Sequence, residues 1–202
     1  MPDAAIDVVL FDLGGVLVDF GGVEPMKRLS GIDDDDELWR RWLTCEWVRS
    51  FERGTCSIDE FAEGVVTEWQ LDLTPAQYIA EFRSWIGGPF DGAEELVVAT
   101  SAVARVGCLS NTNALHTRDH WERWPLFTHF ELPFLSFELG CVKPDREIFD
   151  RVAVAIGIAG ERILFLDDNA MNVDGANAGG WQARRAVGVE GARQALAEFG
   201  VL

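Results

Sequence analysis

The chain is short of lysine, of paired cysteines and of long apolar runs, and each shortage removes a class of function. Its 17 basic residues face 34 acidic ones, for a formal net charge of −17. A field of that sign repels nucleic acid and anionic membranes, so neither is expected as a partner. It repels phosphate esters as well, so a phosphate-binding pocket here requires a metal and local positive charge. No apolar run approaches the roughly 20 residues that cross a bilayer. The opening Met-Pro-Asp-Ala-Ala-Ile-Asp carries acids where a secretory signal carries bases. A cytoplasmic protein is expected. The four cysteines, Cys45, Cys56, Cys108 and Cys141, form no Cys-x-x-Cys and have no histidine at metal-ligand spacing. They read as free thiols in a reducing compartment. The only lysines are Lys27 and Lys143, and the second stands beside Pro144 in a chain that otherwise uses arginine.

What is present is enough for a packed core. The 202 residues are 48% hydrophobic, which suits one core domain with room for a small second lobe. Ile6 to Phe11 is a short apolar run ending in a Gly-containing turn, the pattern of a buried parallel strand. Asp12 follows it, at the strand edge where open α/β sheets bind ligands. From about 21 to 88 the chain changes character. Leu38, Trp39, Trp42, Leu43, Trp47 and Phe51 recur at helical steps and read as a core stripe. The run Asp33 to Glu37 reads as a solvated helix N-terminus, where acids favour the helix dipole. Ser57 with Glu60 forms a capping-box signal, and Thr74-Pro75 opens another helix with Tyr78, Ile79 and Phe82 on one face. Gly87-Gly88-Pro89 reads as a break.

After Pro89 helices and strands alternate. Helices are expected over 93–104, 145–156, 173–178 and 192–199, and strands over 106–109, 134–137, 163–166 and 183–187. The alternation predicts a Rossmann-like, doubly wound parallel sheet, with a core of 1–20 and 89–202 and a helical insertion at 21–88.

Four polar clusters fall at or just past strand ends: Asp12, Ser110-Asn111, Lys143 and Asp167-Asp168. In a parallel sheet such edges line up, so distant residues can converge. Asp12 and Asp168 offer oxygen to a hard cation, Ser110 can donate to a phosphoryl oxygen, and Lys143 can neutralise charge.

In order, Phe11-Asp12-Leu-Gly-Gly-Val, Leu109-Ser110-Asn111-Thr-Asn, Lys143-Pro144 and Leu166-Asp167-Asp168-Asn169 resemble the four motifs of the haloacid dehalogenase superfamily. Leu115-His116-Thr117 and Gly175-Ala176-Asn177 add a likeness to its small bacterial sugar-phosphate phosphatases. The resemblance implies Mg²⁺-dependent hydrolysis of a small phosphorylated metabolite, with a sugar phosphate as one candidate. It implies Asp12 as the nucleophile that forms an aspartyl-phosphate, and Mg²⁺ on Asp12, Asp168 and the Gly14 carbonyl. Ser110 and Asn111 are implied to contact the phosphoryl group or substrate, and Lys143 to stabilise charge on nucleophile and phosphate. Asp167 is expected to orient Lys143 or the metal shell, and Asn172, where many relatives carry an acid, to act through a metal-bound water. Residues 21–88 match the cap of this subfamily, with Glu46, Trp47, Arg49 and Arg53 as candidate readers of the leaving group.

The sequence departs from the pattern at Gly14, where many of these phosphatases carry a second Asp as general acid. Asp19 and residues of the insertion are candidate substitutes. Gly14 also keeps two other readings open: a 2-haloacid dehalogenase, which attacks carbon, and a non-catalytic phosphate-binding or regulatory protein on the same fold.

Overall fold

The structure is a computed structural model and describes residues 5–120 and 123–202. Residues 1–4, part of the stretch read above as lacking a secretory leader, lie outside them. Among the described residues no helix is long and apolar enough to cross a membrane.

Five strands form the main sheet: β1 (Val8–Phe11), β4 (Arg105–Ser110), β5 (Leu132–Leu135), β6 (Ile163–Asp167) and β7 (Gln182–Arg185). They run parallel in the order β5-β4-β1-β6-β7. Each central strand is apolar throughout because both faces are covered. Val9 and Phe11 of β1, with Leu164 and Leu166 of β6, pack on one side against α6 (Ala93–Ser101) and α11 (Gly188–Glu198). Val8 and Leu10, with Ile163 and Phe165, pack on the other against α9 (Arg146–Ile156) and α10 (Ala170–Ala178). The period of two along each strand thus feeds two cores. The chain leaves β1 towards β4 through α6 on one face, and leaves β6 towards β7 through α10 on the other. The order therefore reverses between β1 and β6, which opens a crevice beyond their carboxyl ends.

Between β1 and α6 lies a second layer: α1 (Val23–Ser30), α2 (Asp35–Thr44), α3 (Glu46–Glu52), α4 (Ile58–Glu68) and α5 (Pro75–Arg83). The expected capping box closes, Ser57 with Glu60, and Thr74, read as opening a helix, forms a second one with Gln77. Asp34 caps α2, and the acids from Asp33 to Glu37 are exposed, as their pattern implied. This layer has its own apolar core, centred on Trp42, Phe51, Phe61, Tyr78, Phe82 and Trp85. Phe51 stacks on Phe61 at 4.4 Å between ring centroids. Trp47 departs from the expected stripe: it is 40% exposed.

Two further expectations shift. Gly87-Gly88-Pro89 is not a break but part of β3 (Ile86–Pro89), which pairs antiparallel with β2 (Val18–Phe20) where the chain leaves and re-enters the sheet domain. A Cβ on Gly87 would lie 2.8 Å from the Asp19 carboxylate, so this close crossing favours glycine. The strand expected at 134–137 is β5, set two residues earlier, because Ser136–Leu139 turns into the short helix α8.

Candidate active site

The carboxyl ends of β1, β4 and β6 open into one cavity of about 360 Å³, roofed by the helical layer. Its lining brings together Asp12, Gly14, Ser110, Asn111, Lys143 and Asp168, the six residues to which the resemblance gave catalysis, phosphate contact or metal.

Asp12 extends the ladder by one step, its N–H donating to Leu166 O at 2.7 Å. Its Oδ1 accepts from Leu13 N at 2.7 Å and lies 3.0 Å from Lys143 Nζ. The Lys143 ammonium is fully buried and donates at 2.6 Å to Asp167 Oδ2. It also sits 5.1 Å from the centre of the Phe165 ring. Burial alone would lower the pKa of Lys143, but Asp12 and Asp167 outweigh it and hold the group charged well above its usual range. Burial pushes Asp12 up to about 8; Lys143 pulls the other way, and Asp167 and Asp168 add to the rise. Asp168 is raised to about 6, by burial first and then by Asp167.

The two carboxylates of the fourth motif divide their work. Asp167 is saturated: besides Lys143 it accepts from Asn169 N at 2.8 Å and from Asn172 Nδ2 at 3.1 Å on both oxygens. Asp168 is half-buried, and no other residue's hydrogen bond engages its carboxylate among the described residues. Ligand atoms of Asp12, Asp167 and Asp168 lie within 4.8 Å of one another, a grouping that can hold a metal ion. Two further observations fit a hard cation. The donors are all oxygen. The buried Asn172 Oδ1 lines this cavity without a hydrogen-bond partner, where it can accept from a metal-bound water.

The loop after Asp12 explains Gly15, to which the sequence reading assigned no role. Gly15 has φ +73°, and a Cβ there would sit 2.3 Å from Asp168 Oδ2. Only glycine lets the β1 loop pass so close to that carboxylate. Gly14 carries no side chain into the cavity it lines.

Ser110, the last residue of β4, is buried against the cavity, and no hydrogen bond ties up its hydroxyl among the described residues. Asn111 has a part that the sequence did not assign. Its Nδ2 donates to Lys143 O at 3.0 Å and its Oδ1 accepts from Lys143 N at 2.9 Å. The side chain thus holds the lysine's peptide while the residue lines the cavity. His116 is structural: its Nε2–H donates to Phe82 O at 3.0 Å, its Nδ1 faces the Asn113 amide at 3.4 Å, and its ring stacks on Phe82. Burial lowers it to about 4.

The residues proposed to read the leaving group are overturned. Arg49 and Arg53 both pair with Asp145 at the start of α9, at 2.5 and 3.3 Å. Glu46 is exposed and bonds Arg53 and Ser50, and Trp47 packs on Gly64. Asp19 is exposed and outside the cavity lining. The roof is made instead by Trp39, Trp42, Glu52 and Phe82, with His120 and Trp124 stacked at 4.8 Å on another side. Arg185, at the end of β7, lines the mouth and donates to Asp168 O at 2.8 Å.

A doubly wound sheet with a buried carboxylate, a buried lysine and an acidic pair at its switch point matches known proteins. The family model for haloacid dehalogenase-like hydrolases covers residues 6–180, and the chain belongs to that family. It is 26% identical over 187 residues to a phosphatase of Mycobacterium tuberculosis, covering 89% of this chain and 86% of the relative. It is 27% identical to the D-ribitol-5-phosphate phosphatase of Bacteroides thetaiotaomicron, covering 82% and 84%. Among solved structures, a haloacid dehalogenase family enzyme of Bacteroides thetaiotaomicron, in complex with magnesium and inorganic phosphate, superposes with a TM-score of 0.68. That pair is 25% identical over 90% of this chain and 94% of the other. An L-2-haloacid dehalogenase of Xanthobacter autotrophicus, 17% identical with a TM-score of 0.64 over 98% of this chain and 84% of the other, shares the fold.

Proposed function

We propose that the protein is a magnesium-dependent phosphomonoesterase in which Asp12 attacks phosphorus and is transiently phosphorylated. The observation that carries this reading is a buried carboxylate, Asp12, 3.0 Å from a fully buried ammonium and inside a group of acids that spans 4.8 Å. A carboxylate nucleophile must meet a phosphate dianion, and the two anions approach only where cations stand beside both. Lys143 is one such cation, kept charged by its two carboxylates. Magnesium, when bound, supplies the other; Asp12, Asp168 and the Gly14 carbonyl are the residues that would hold it, with Asn172 behind a bound water. Ser110 donates to a phosphoryl oxygen. Asn111 keeps Lys143 in place.

The helical layer of 21–88 acts as the cap, excluding water and contacting the leaving group. The cavity of about 360 Å³ suits a small phosphorylated metabolite. A sugar or polyol phosphate is the favoured class, supported by aromatic walls that fit a carbohydrate ring or chain and by the relative named for D-ribitol 5-phosphate. The dehalogenase reading that Gly14 raised loses support, because a haloacid carboxylate would enter against Asp12, Asp167 and Asp168 together.

The test is phosphate release from a panel of phosphomonoesters with Mg²⁺ or with EDTA. Release that needs the metal is expected, and Asp12→Asn should lower kcat by at least about 10⁴-fold with an unchanged Tm. Full activity in the variant would remove Asp12 as nucleophile. No release from any ester by the native protein would end the phosphatase reading.

A further inference from the structure

The general acid that Gly14 cannot supply has to come from elsewhere, and one buried group in the cavity is unused by the chemistry above. Glu52 closes the last turn of α3, is 9% exposed, and lines the same cavity as Asp12 and Lys143. Trp42, which lines the same cavity, lies beside its carboxyl group. The charges that act on it are Lys143, from the loop ahead of α9, and Arg49, from its own helix. Arg49 is itself committed to Asp145. Among the described residues no ion pair holds Glu52, although it is an acid in a buried position, which is rare without a partner.

We infer that Glu52 is the leaving-group acid, donated from the helical layer in place of the side chain missing at Gly14. As the Asp12 Oδ–P bond forms and the ester O–P bond breaks, the Glu52 carboxyl gives its proton to the departing oxygen, which leaves as the alcohol. The resulting carboxylate then takes a proton from the water that attacks phosphorus. The aspartyl O–P bond breaks, inorganic phosphate leaves, and both Glu52 and Asp12 return to their starting states.

The protonation state fits the task. Burial pushes Glu52 up to about 7, against the pull of Lys143, Trp42 and Arg49, so a share of the acid form persists near neutral pH. The rival donors fit less well. His116 has both ring nitrogens engaged. His120 is held below its ordinary pKa, first by burial, and so is neutral where a proton donor is needed. Asp35 is exposed and paired with Lys27.

The inference rests on the phosphatase reading, and the test separates the two. The native protein, Glu52→Gln and Asp12→Asn are assayed with Mg²⁺ on p-nitrophenyl phosphate, whose leaving group departs without a proton, and on an alkyl phosphate, whose leaving group needs one. Glu52→Gln keeps the size of the side chain and a polar head, so the fold is expected to persist, and Tm checks it. In that variant the alkyl ester should lose about 10²–10⁴-fold in kcat/KM while p-nitrophenyl phosphate loses less than about tenfold. Equal loss on both esters, or no loss on either, would overturn the assignment. Turnover of p-nitrophenyl phosphate that Asp12→Asn abolishes leaves the phosphatase reading standing whichever way Glu52 falls.

Discussion

The sheet edge and the helical layer handle buried charge in opposite ways. At the sheet edge Lys143 lies within hydrogen-bonding distance of both Asp12 and Asp167, and Asn111, Asn169 and Asn172 supply donors and acceptors around them. Each charge there is answered by another fixed group. In the helical layer the core is aromatic, and Glu52 lines the cavity beside it with no ion pair among the described residues. The first arrangement sets one cation between two acids. The second leaves a carboxyl group buried with no cation bonded to it, and burial pushes it up to about 7, which suits a proton donor. The lesson is that burial alone does not define a role; the number of compensating partners does.

The comparison breaks most visibly at Lys143. Lys143→Met would leave two buried carboxylates without their cation, and should lower unfolding free energy by about 3–5 kcal/mol in denaturant titration. The sign of its pH dependence follows from Asp12. A carboxyl group raised to about 8 in the folded state, above its ordinary 3.8, favours folding at low pH and loses that contribution as pH rises through its folded value. Without Lys143 the variant should therefore be hurt most above about pH 8 and least in mild acid. A loss independent of pH would show that packing, not charge, is what the lysine supplies.

A smaller effect is expected at Gly15. Gly15→Ala places a methyl group 2.3 Å from Asp168 Oδ2 at a φ of +73°, so either the loop or the carboxylate must move. The Mg²⁺ concentration for half-maximal activity should rise by about tenfold or more, with about 1–2 kcal/mol lost in stability. An unchanged titration would remove Asp168 from the metal shell. The smallest effect should come from the tie between the two regions. Asp145→Asn frees Arg49 and Arg53 from the start of α9. Asp145 is 41% exposed, so the stability change should stay below about 1 kcal/mol, measured by thermal unfolding. A drop of several kcal/mol would mean that this pairing, not the aromatic core, holds the helical layer to the sheet.

Much of the sheet domain was legible because apolar runs of four to six residues ending in Asp, Ser or Asp-Asp carry their own placement. A parallel strand buried on both faces must be apolar throughout, and its carboxyl end must face the ligand side. The strand β3 was not legible. Ile-Gly-Gly-Pro has no alternation, and only its pairing with β2 makes it a strand. The helical layer shows the same limit. Its caps and its aromatic stripe could be read, since they depend on neighbours three and four residues away. The choice of Glu46, Trp47, Arg49 and Arg53 as cavity residues failed because a helix period gives faces, not their directions.

By itself, then, the sequence determined most elements of the sheet domain, the order in which the motifs meet the sheet edge, and the placing of Asp12, Ser110, Lys143 and Asp168 at one cavity. Those depend on local periodicity and on the fixed polarity of parallel strands. Only the tertiary structure decided that Asp167 is saturated and Asp168 open, that Asn111 serves Lys143, that Gly15 must be glycine, and that Glu52 turns into the cavity while Arg49 and Arg53 turn towards Asp145. Each of these depends on distances between segments remote in the chain, and such distances are set by packing two layers together, not by any pattern within one.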